Sequence, residues 1–101
     1  MIPTIGRIVH YKLSAEDAEN INRRRVVGAV HPDWPTGAQA HIGNEAHEGD
    51  VVPMIVVRVF QIGTRAEGLV NGQAFLDGND SLWVTSRHEG TMPGTWAWPP
   101  R

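Results

Sequence analysis

The sequence contains no cysteine, which excludes disulfide bonds and metal sites built on thiolates. It also lacks an excess of charge: 9 lysine and arginine residues against 11 aspartate and glutamate residues give a formal net charge of −2. A chain with this balance has no general attraction for nucleic-acid phosphates. An apolar run long enough to cross a membrane, about 18 to 20 residues, is missing, and so are the regions of a secretory signal. We therefore expect a cytoplasmic protein with no membrane partner, for which nucleic acid is an unfavourable ligand.

Sequence signatures of catalysis are also missing. No serine lies in a nucleophile elbow, and there is no glycine-rich loop of the kind that holds phosphate. The histidines and acids of one polar stretch have spacings that match no zinc site. These residues are His31, Asp33, His41, Glu45 and His47. The sequence therefore predicts a protein that is not an enzyme and that binds no metal or cofactor.

The length of 101 residues predicts a single domain, residues 1–101, because a second core would have too few residues to close. Apolar residues make up 41% of the chain and charged residues 20%, as in ordinary folded proteins. A small core gives a modest margin of stability, and association between copies would increase it. We therefore expect a homo-oligomer.

Alternation of apolar and polar residues predicts a first strand over Ile5 to Leu13. Its apolar face consists of Val9, Tyr11 and Leu13. Ser14 has the character of a helix N-cap, so a short helix is predicted at about 15–25. The following stretch, about 26–49, is rich in proline, glycine and histidine and predicts a long loop.

The second half of the chain reads as strands and turns. Val51 to Phe60 is apolar on both faces, which predicts a central strand that is covered on both sides. Gln61 to Gly68 is predicted to be a loop, and Leu69 to Leu76 a single strand with a bulge. Shorter strands are predicted at 81–86 and 95–98. The whole pattern predicts a mainly β fold, either a small bent antiparallel sheet or an SH3-like or OB-like barrel of four or five strands with one short helix.

Three of the four tryptophans lie in the last quarter of the chain and suggest a ligand site. Trp83, Trp96 and Trp98 could form an aromatic platform, since stacking of a nucleic-acid base contributes about 1 to 3 kcal/mol. The alternative is that these indoles fill the core, because aromatic side chains dominate burial in small domains. The neighbouring Arg87 and His88 would complete a ligand site around such a platform.

Two polar clusters are further candidates. Asp77, Asn79 and Asp80, in the run DGND, offer oxygens for a cation or a ribose, although the same residue types form tight turns for backbone reasons alone. Arg23, Arg24 and Arg25 form a basic run. Arginine binds phosphate through two hydrogen bonds, and these three residues are predicted to bind anions. The simpler alternative is that they complement the dipole at the helix C-terminus.

The run NGQAFLDGNDSLWVTSRHEGTMPGTWAWPPR resembles the C-terminal half of a family of small, mostly uncharacterised proteins encoded by tailed bacteriophages and prophages. Two other segments, GRIVHYKLSAEDAENINRRR and GDVVPMIVVRVF, are also similar to members of that family, so the resemblance covers most of the chain apart from 26–49. Ala97 departs from the family, whose members often carry histidine between the two tryptophans, and a site that needs this imidazole is incomplete here. The resemblance implies a phage origin and a role inside infected bacteria or in the virion.

These observations lead to two hypotheses. The first is a non-enzymatic phage accessory protein that binds a compact anionic, nucleotide-like ligand, such as a host immune signalling molecule that it sequesters, by indole stacking and arginine–phosphate bonds. The second is a virion decoration component or an interaction module that inhibits a host protein. In the second case the same aromatic residues form a contact surface.

Overall fold

The computed structural model describes residues 2–25, 41–62 and 65–100. The elements are strand β1 (Ile8–Lys12), helix α1 (Ala15–Arg24), and strands β2 (Val51–Ile62), β3 (Arg65–Phe75), β4 (Ser81–Arg87) and β5 (Trp96–Ala97). The strands form one sheet in the order β4-β3-β2-β1-β5, and neighbouring strands are antiparallel. The predicted mainly β fold with one short helix is therefore confirmed, in the form of an open, bent sheet.

One face of the sheet, here called the inner face, carries the hydrophobic core. Val9 and Tyr11 of β1 are buried on it, and Leu13 continues the same face, as the alternation predicts. Helix α1 packs against this face through Ile21. The other buried members of the core cluster are Val52, Met54, Val56, Val70, Ala74, Leu82, Val84 and Trp96.

Helix α1 begins where the sequence predicts. Ser14 is the N-cap: its hydroxyl accepts from the backbone N–H of Asp17, and the Asp17 carboxylate accepts from the backbone N–H of Ser14. This reciprocal pair satisfies two donors that the first turn of a helix leaves open. The helix ends at Arg24, and Arg25 has extended backbone. The Arg25 side chain reaches Asp80, the residue before β4.

The prediction that the second strand is covered on both sides is wrong. Val52, Met54 and Val56 are buried, but the alternate residues Val51 and Val57 are 53% and 41% exposed. β2 is central in the order of strands, between β1 and β3, yet the described residues place helix α1 on the inner face only. A strand buried on both faces needs a layer on each side, and the described part of the chain supplies one.

The predicted loop over Gln61 to Gly68 is also wrong. β2 continues to Ile62 and β3 begins at Arg65. The register of this pair shifts between Val56 and Arg58 and again between Val59 and Gln61. Such bulges add a residue to one strand and reverse the alternation that identifies a strand in a sequence.

The run Asn71-Gly72 lies inside the continuous strand β3, which confirms the prediction of a single strand. The bulge beside this run has its extra residue on the neighbouring strand β4. Of the long predicted loop, residues 41–49 are described and contain no helix or strand, only isolated bridges at His41 and Gly43. Residues 26–40 lie outside the described residues, and so do His31 and Asp33 of the histidine-rich stretch.

The segment that follows β4 contacts β5, at the opposite end of the strand order. The backbone N–H of Trp96 donates to the carbonyl of His88 over 3.1 Å, and the N–H of Gly90 donates to the carbonyl of Trp96 over 2.9 Å. On its other side Trp96 pairs with Tyr11 of β1. The residues after β4 therefore reach β5, so the sheet curls around the inner face although its named strands do not close into a barrel.

Candidate interaction surface

Arg25 is a structural residue rather than an exposed anion ligand. Its side chain is 6% exposed, and its Nη2 and Nε donate to the Asp80 carboxylate over 2.9 and 3.2 Å. The same guanidinium donates to the Asn44 carbonyl. Arg23 and Arg24 remain exposed in the last turn of α1. Of the three predicted anion-binding residues, only these two therefore face solvent.

Burial of Asp80 would by itself raise the pKa of its carboxyl. The hydrogen bonds and the charge of Arg25 outweigh this effect and hold the pKa below its ordinary value. The side chain of Asp80 is 3% exposed and remains a carboxylate at neutral pH, which is the state that the buried guanidinium requires. The ion pair thus fixes the end of α1 to the start of β4.

Asp77 and Asn79 serve to hold the segment after residue 40. The Asp77 carboxylate accepts from Nδ2 of Asn44 over 2.9 Å, and Oδ1 of Asn79 accepts from the backbone N–H of Ile42 over 2.8 Å. The two chain segments approach closely at Gly43 and Gly78, which form a backbone bridge. These contacts favour the turn interpretation of DGND over a ligand site.

The three predicted platform indoles do not form one platform. Trp96 is fully buried, and its Nε1 donates to the Gly68 carbonyl over 2.8 Å, so it belongs to the core. Trp98 lies edge-on to Trp96 with 5.4 Å between ring centroids and is half-buried. The Arg7 guanidinium lies 5.2 Å from the centroid of the Trp98 ring. Trp83 lies on the opposite face of the sheet, since its neighbours Leu82 and Val84 are the buried residues of β4.

Arg87 reaches the inner face because β4 contains a bulge. Val84 pairs with Gly72, but Arg87 pairs with Val70, so three steps on β4 match two on β3. Within the bulge, Ser86 has a positive φ of 56°. Its backbone N–H donates to Oδ1 of Asn71 over 2.7 Å. The bulge reverses the alternation and turns Arg87 inward, a change that the sequence pattern does not reveal.

On the inner face, Arg87 joins a buried polar group at the start of α1. Its Nη2 lies 3.5 Å from Oδ1 of Asp17, and its Cζ lies 5.7 Å from the centroid of the Tyr11 ring. The Tyr11 hydroxyl donates to Asp17. Burial, and then the hydrogen bond and charge of Asp17, raise the pKa of Tyr11 far above its ordinary value. His88, by contrast, is exposed, so Arg87 and His88 do not share a site.

The most distinctive exposed feature is the face of the sheet opposite the core. Strand register places Ile8 beside Ile55, Ile55 beside Gln73, and Gln73 beside Trp83, in one row across four strands. We define this outer face by its apolar residues and the glutamine among them: Ile8, Val51, Pro53, Ile55, Gln73, Phe75 and Trp83. Trp83 is 61% exposed, Ile8 57% and Phe75 46%. None of the seven residues is charged.

An exposed apolar surface of this kind, spread over several strands, is uncommon on a monomeric protein unless it binds something. Part of it could be found in the sequence, because alternation in β4 sets Trp83 opposite the buried Leu82 and Val84. The row itself could not be found, since it depends on which strands are neighbours and on their register.

Comparison with known protein families, with curated proteins and with solved structures gives no match to this chain. Among the described residues no helix is long and apolar enough to cross a membrane. No group of three or more histidine, aspartate or glutamate side chains in residues 2–25, 41–62 and 65–100 is arranged to hold a metal ion. The geometry of the outer face is therefore the main guide to function.

Proposed function

We propose that this chain is a non-enzymatic interaction module that binds protein through its outer face, with Trp83 as the anchor. The observation that supports this proposal is the uncharged apolar row across four strands, at one end of which Trp83 is 61% exposed. Tryptophan is the residue type most enriched among those that dominate binding energy in protein interfaces. A large indole held on a strand, with its backbone paired to Gln73, loses little conformational entropy on binding.

The chemistry of the outer face favours protein over an anionic ligand. A phosphate needs charged or N–H donors in a concave site, whereas the seven residues that define this face are uncharged and stand on a sheet. Lys12, beside Val51 at one end of the face, already donates to the Thr91 carbonyl. The resemblance to phage-encoded proteins supports a place of action in infected bacteria or in the virion, where host proteins, particle components and other copies of this chain are available as partners. Charge depletion at the centre with polar residues around it is the usual composition of a protein interface.

The test compares two substitutions on the same side of β4. Partners are captured from bacteria that produce the tagged protein, are then purified, and their affinity for the protein is measured by calorimetry. Trp83→Ala should weaken binding about 30-fold or more, the effect of an interface anchor. Thr85→Ala, two residues along the same strand, should change the affinity less than about 3-fold. If Trp83→Ala and Ile8→Ala both bind the partner as strongly as the wild-type protein does, the proposal is refuted.

A second function, binding of a small nucleotide-like anion, has a separate observation in its favour. The exposed Arg7 guanidinium lies 5.2 Å from the centroid of the half-buried Trp98 ring. A nucleotide-like ligand could place its phosphate on this guanidinium and its base beside the indole. A panel of cyclic and linear nucleotides, tested by thermal shift and calorimetry, should then give a signal that Arg7→Ala abolishes and Arg23→Ala does not. Absence of any signal from the wild-type protein removes this candidate.

A further inference from the structure

We infer that the occupant of the outer face is a second copy of this chain, packed face to face so that two sheets form a sandwich across a two-fold axis. This inference rests on the proposed function, because it names the partner of the same surface.

Among the described residues, no layer covers the outer face of the sheet. A β-domain is stable when its sheet is covered, and two sheets stacked about 10 Å apart are one of the few common solutions. In the described residues the inner face is covered by α1 through Ile21, while Val51 and Trp83 on the other face remain more than half exposed. A second sheet of the same kind supplies the missing layer and brings an equal apolar surface to it.

Self-complementarity provides the second argument. A two-fold interface brings the same surface together twice, so it must tolerate contact with itself. The row Ile8, Ile55, Gln73 and Trp83 carries no charge, so no like charges meet at its centre. Two positive residues lie near the ends of the outer face and away from the row: Lys12 is paired with Val51, and Arg58 with Asn71. Lys12 already donates to the Thr91 carbonyl over 2.8 Å.

The order of strands indicates how the two copies fit. With a two-fold axis parallel to the strands and between β2 and β3, β4 of one copy lies over β1 of the other. Trp83, the largest exposed side chain of the face, then packs on Ile8 of the second copy, and this contact occurs twice. Ile55 and Gln73 meet near the axis. The two Trp83 side chains therefore pack on the smaller Ile8 side chains at opposite ends of the interface and do not contact each other.

The size of the face predicts a weak dimer. Neighbouring strands are about 4.8 Å apart and residues about 3.3 Å apart along a strand, so an apolar face four strands wide and five residues long measures roughly 19 Å by 16 Å. This projected area, about 300 Å², is well below the average of about 800 Å² for each partner of a specific interface and is typical of weak, transient contacts. We expect a dissociation constant in roughly the micromolar range.

Sedimentation equilibrium over about 1 μM to 1 mM protein tests the inference. The wild-type chain should pass from monomer to dimer in this range. Trp83→Lys and Ile8→Lys, both at exposed positions, should each raise the dissociation constant about 30-fold or more. Met92→Lys is the matched control: Met92 is also an exposed apolar residue but lies outside the outer face, and its substitution should leave the dimer unchanged.

Cross-linking tests the geometry. The sequence contains no cysteine, so a single Gln73→Cys substitution introduces a unique thiol close to the expected axis. A bis-maleimide that spans the ~10 Å between stacked sheets should join two Gln73→Cys chains rapidly. Met92→Cys chains should react only slowly, and adding Trp83→Lys to Gln73→Cys should remove the rapid reaction.

The outcomes separate this inference from the proposed function. A monomer at all concentrations, or a dimer that neither Trp83→Lys nor Ile8→Lys weakens, overturns the inference. If that monomer still binds another protein and Trp83→Ala weakens the binding, the proposed function stands without it. If no binding of any kind depends on Trp83 or Ile8, both are wrong.

Discussion

Replacing Arg25 with methionine is expected to destabilise the fold more than any substitution at the other two arginines of the run. The side chains of Arg25 and Asp80 are 6% and 3% exposed, and the guanidinium donates to both carboxylate oxygens. Methionine fills a similar volume but leaves the Asp80 carboxylate buried without its cation. The change therefore removes one partner of an enclosed ion pair, which is the costly way to disrupt it.

Removing one partner of a buried pair costs about 3 to 5 kcal/mol. A domain of this size has a total stability of about 5 to 15 kcal/mol, so the variant should be marginally folded. With a urea m-value of about 2 kcal/mol/M, the unfolding midpoint should fall by roughly 2 M. The double variant Arg25→Met/Asp80→Leu leaves no buried charge and should recover most of the loss.

Urea unfolding followed by circular dichroism measures these effects, with Arg23→Met as the control, since Arg23 is exposed. The pH dependence gives an independent check. The pKa of Asp80 is lowered in the folded state, so its contribution is fully present above the unfolded pKa of about 3.9 and is lost as the pH falls through the lower folded value. The acid-induced loss of stability should be smaller in the double variant than in the wild type.

The reasoning about this pair would be refuted by either of two results. One is a loss of less than about 1 kcal/mol for Arg25→Met, the value typical of a surface pair. The other is a double variant that is less stable than Arg25→Met, which would show that the cost comes from lost packing and not from an unpaired charge.

Three further predictions concern the close approaches and buried groups of the sheet. A Cβ on Gly78 would lie 2.4 Å from the Ile42 carbonyl oxygen, so Gly78→Ala should lower the free energy of unfolding in urea by about 1 to 3 kcal/mol. Gly90→Ala is the control: its Cβ would meet only a side chain, at 3.2 Å, and the loss should be smaller. Equal losses would contradict this reasoning. Tyr11 is the one tyrosine of the chain, and its pKa is raised in the folded state. Phenolate absorbance should therefore appear only well above pH 10, and stability should be lost as the pH rises through the folded pKa. Titration of Tyr11 at the ordinary pKa in folded protein would contradict this prediction. Ser86 has a φ of 56°, a conformation that glycine adopts without strain. Ser86→Gly should therefore raise the free energy of unfolding by about 0.5 to 1 kcal/mol and the melting temperature by a few degrees. A lower melting temperature would contradict this and would show that the serine side chain stabilises the bulge.

The local features of the fold could be predicted from the sequence. The alternation of Val9, Tyr11 and Leu13, the capping role of Ser14 and the opposition of Trp83 to Leu82 and Val84 are confirmed. Each of these depends on residues that are close in the chain, where the period of a strand or the donors of a first helical turn decide the outcome. The same reasoning failed at the long pairing of β2 with β3, because bulges interrupt the period there.

The candidate site could be predicted only in part. The sequence singled out Trp83, but grouped it with Trp96 and Trp98, which lie on the inner side of the sheet. It also treated Arg25 as one of three equivalent arginines, although extended backbone after α1 turns it toward Asp80. Both errors have one cause: residues that are close in the sequence were assumed to share an environment.

The sequence by itself determined which residues alternate, where the helix begins and that no thiol or excess of charge is available for chemistry or for nucleic acid. Only the tertiary structure decided which of those residues meet. The bulge at Ser86 turns Arg87 toward Asp17, and strand register brings Ile8, Ile55 and Trp83 into one exposed row. The physical reason is that strand order and register arise from contacts between distant segments, and a shift of one residue moves a side chain to the other face.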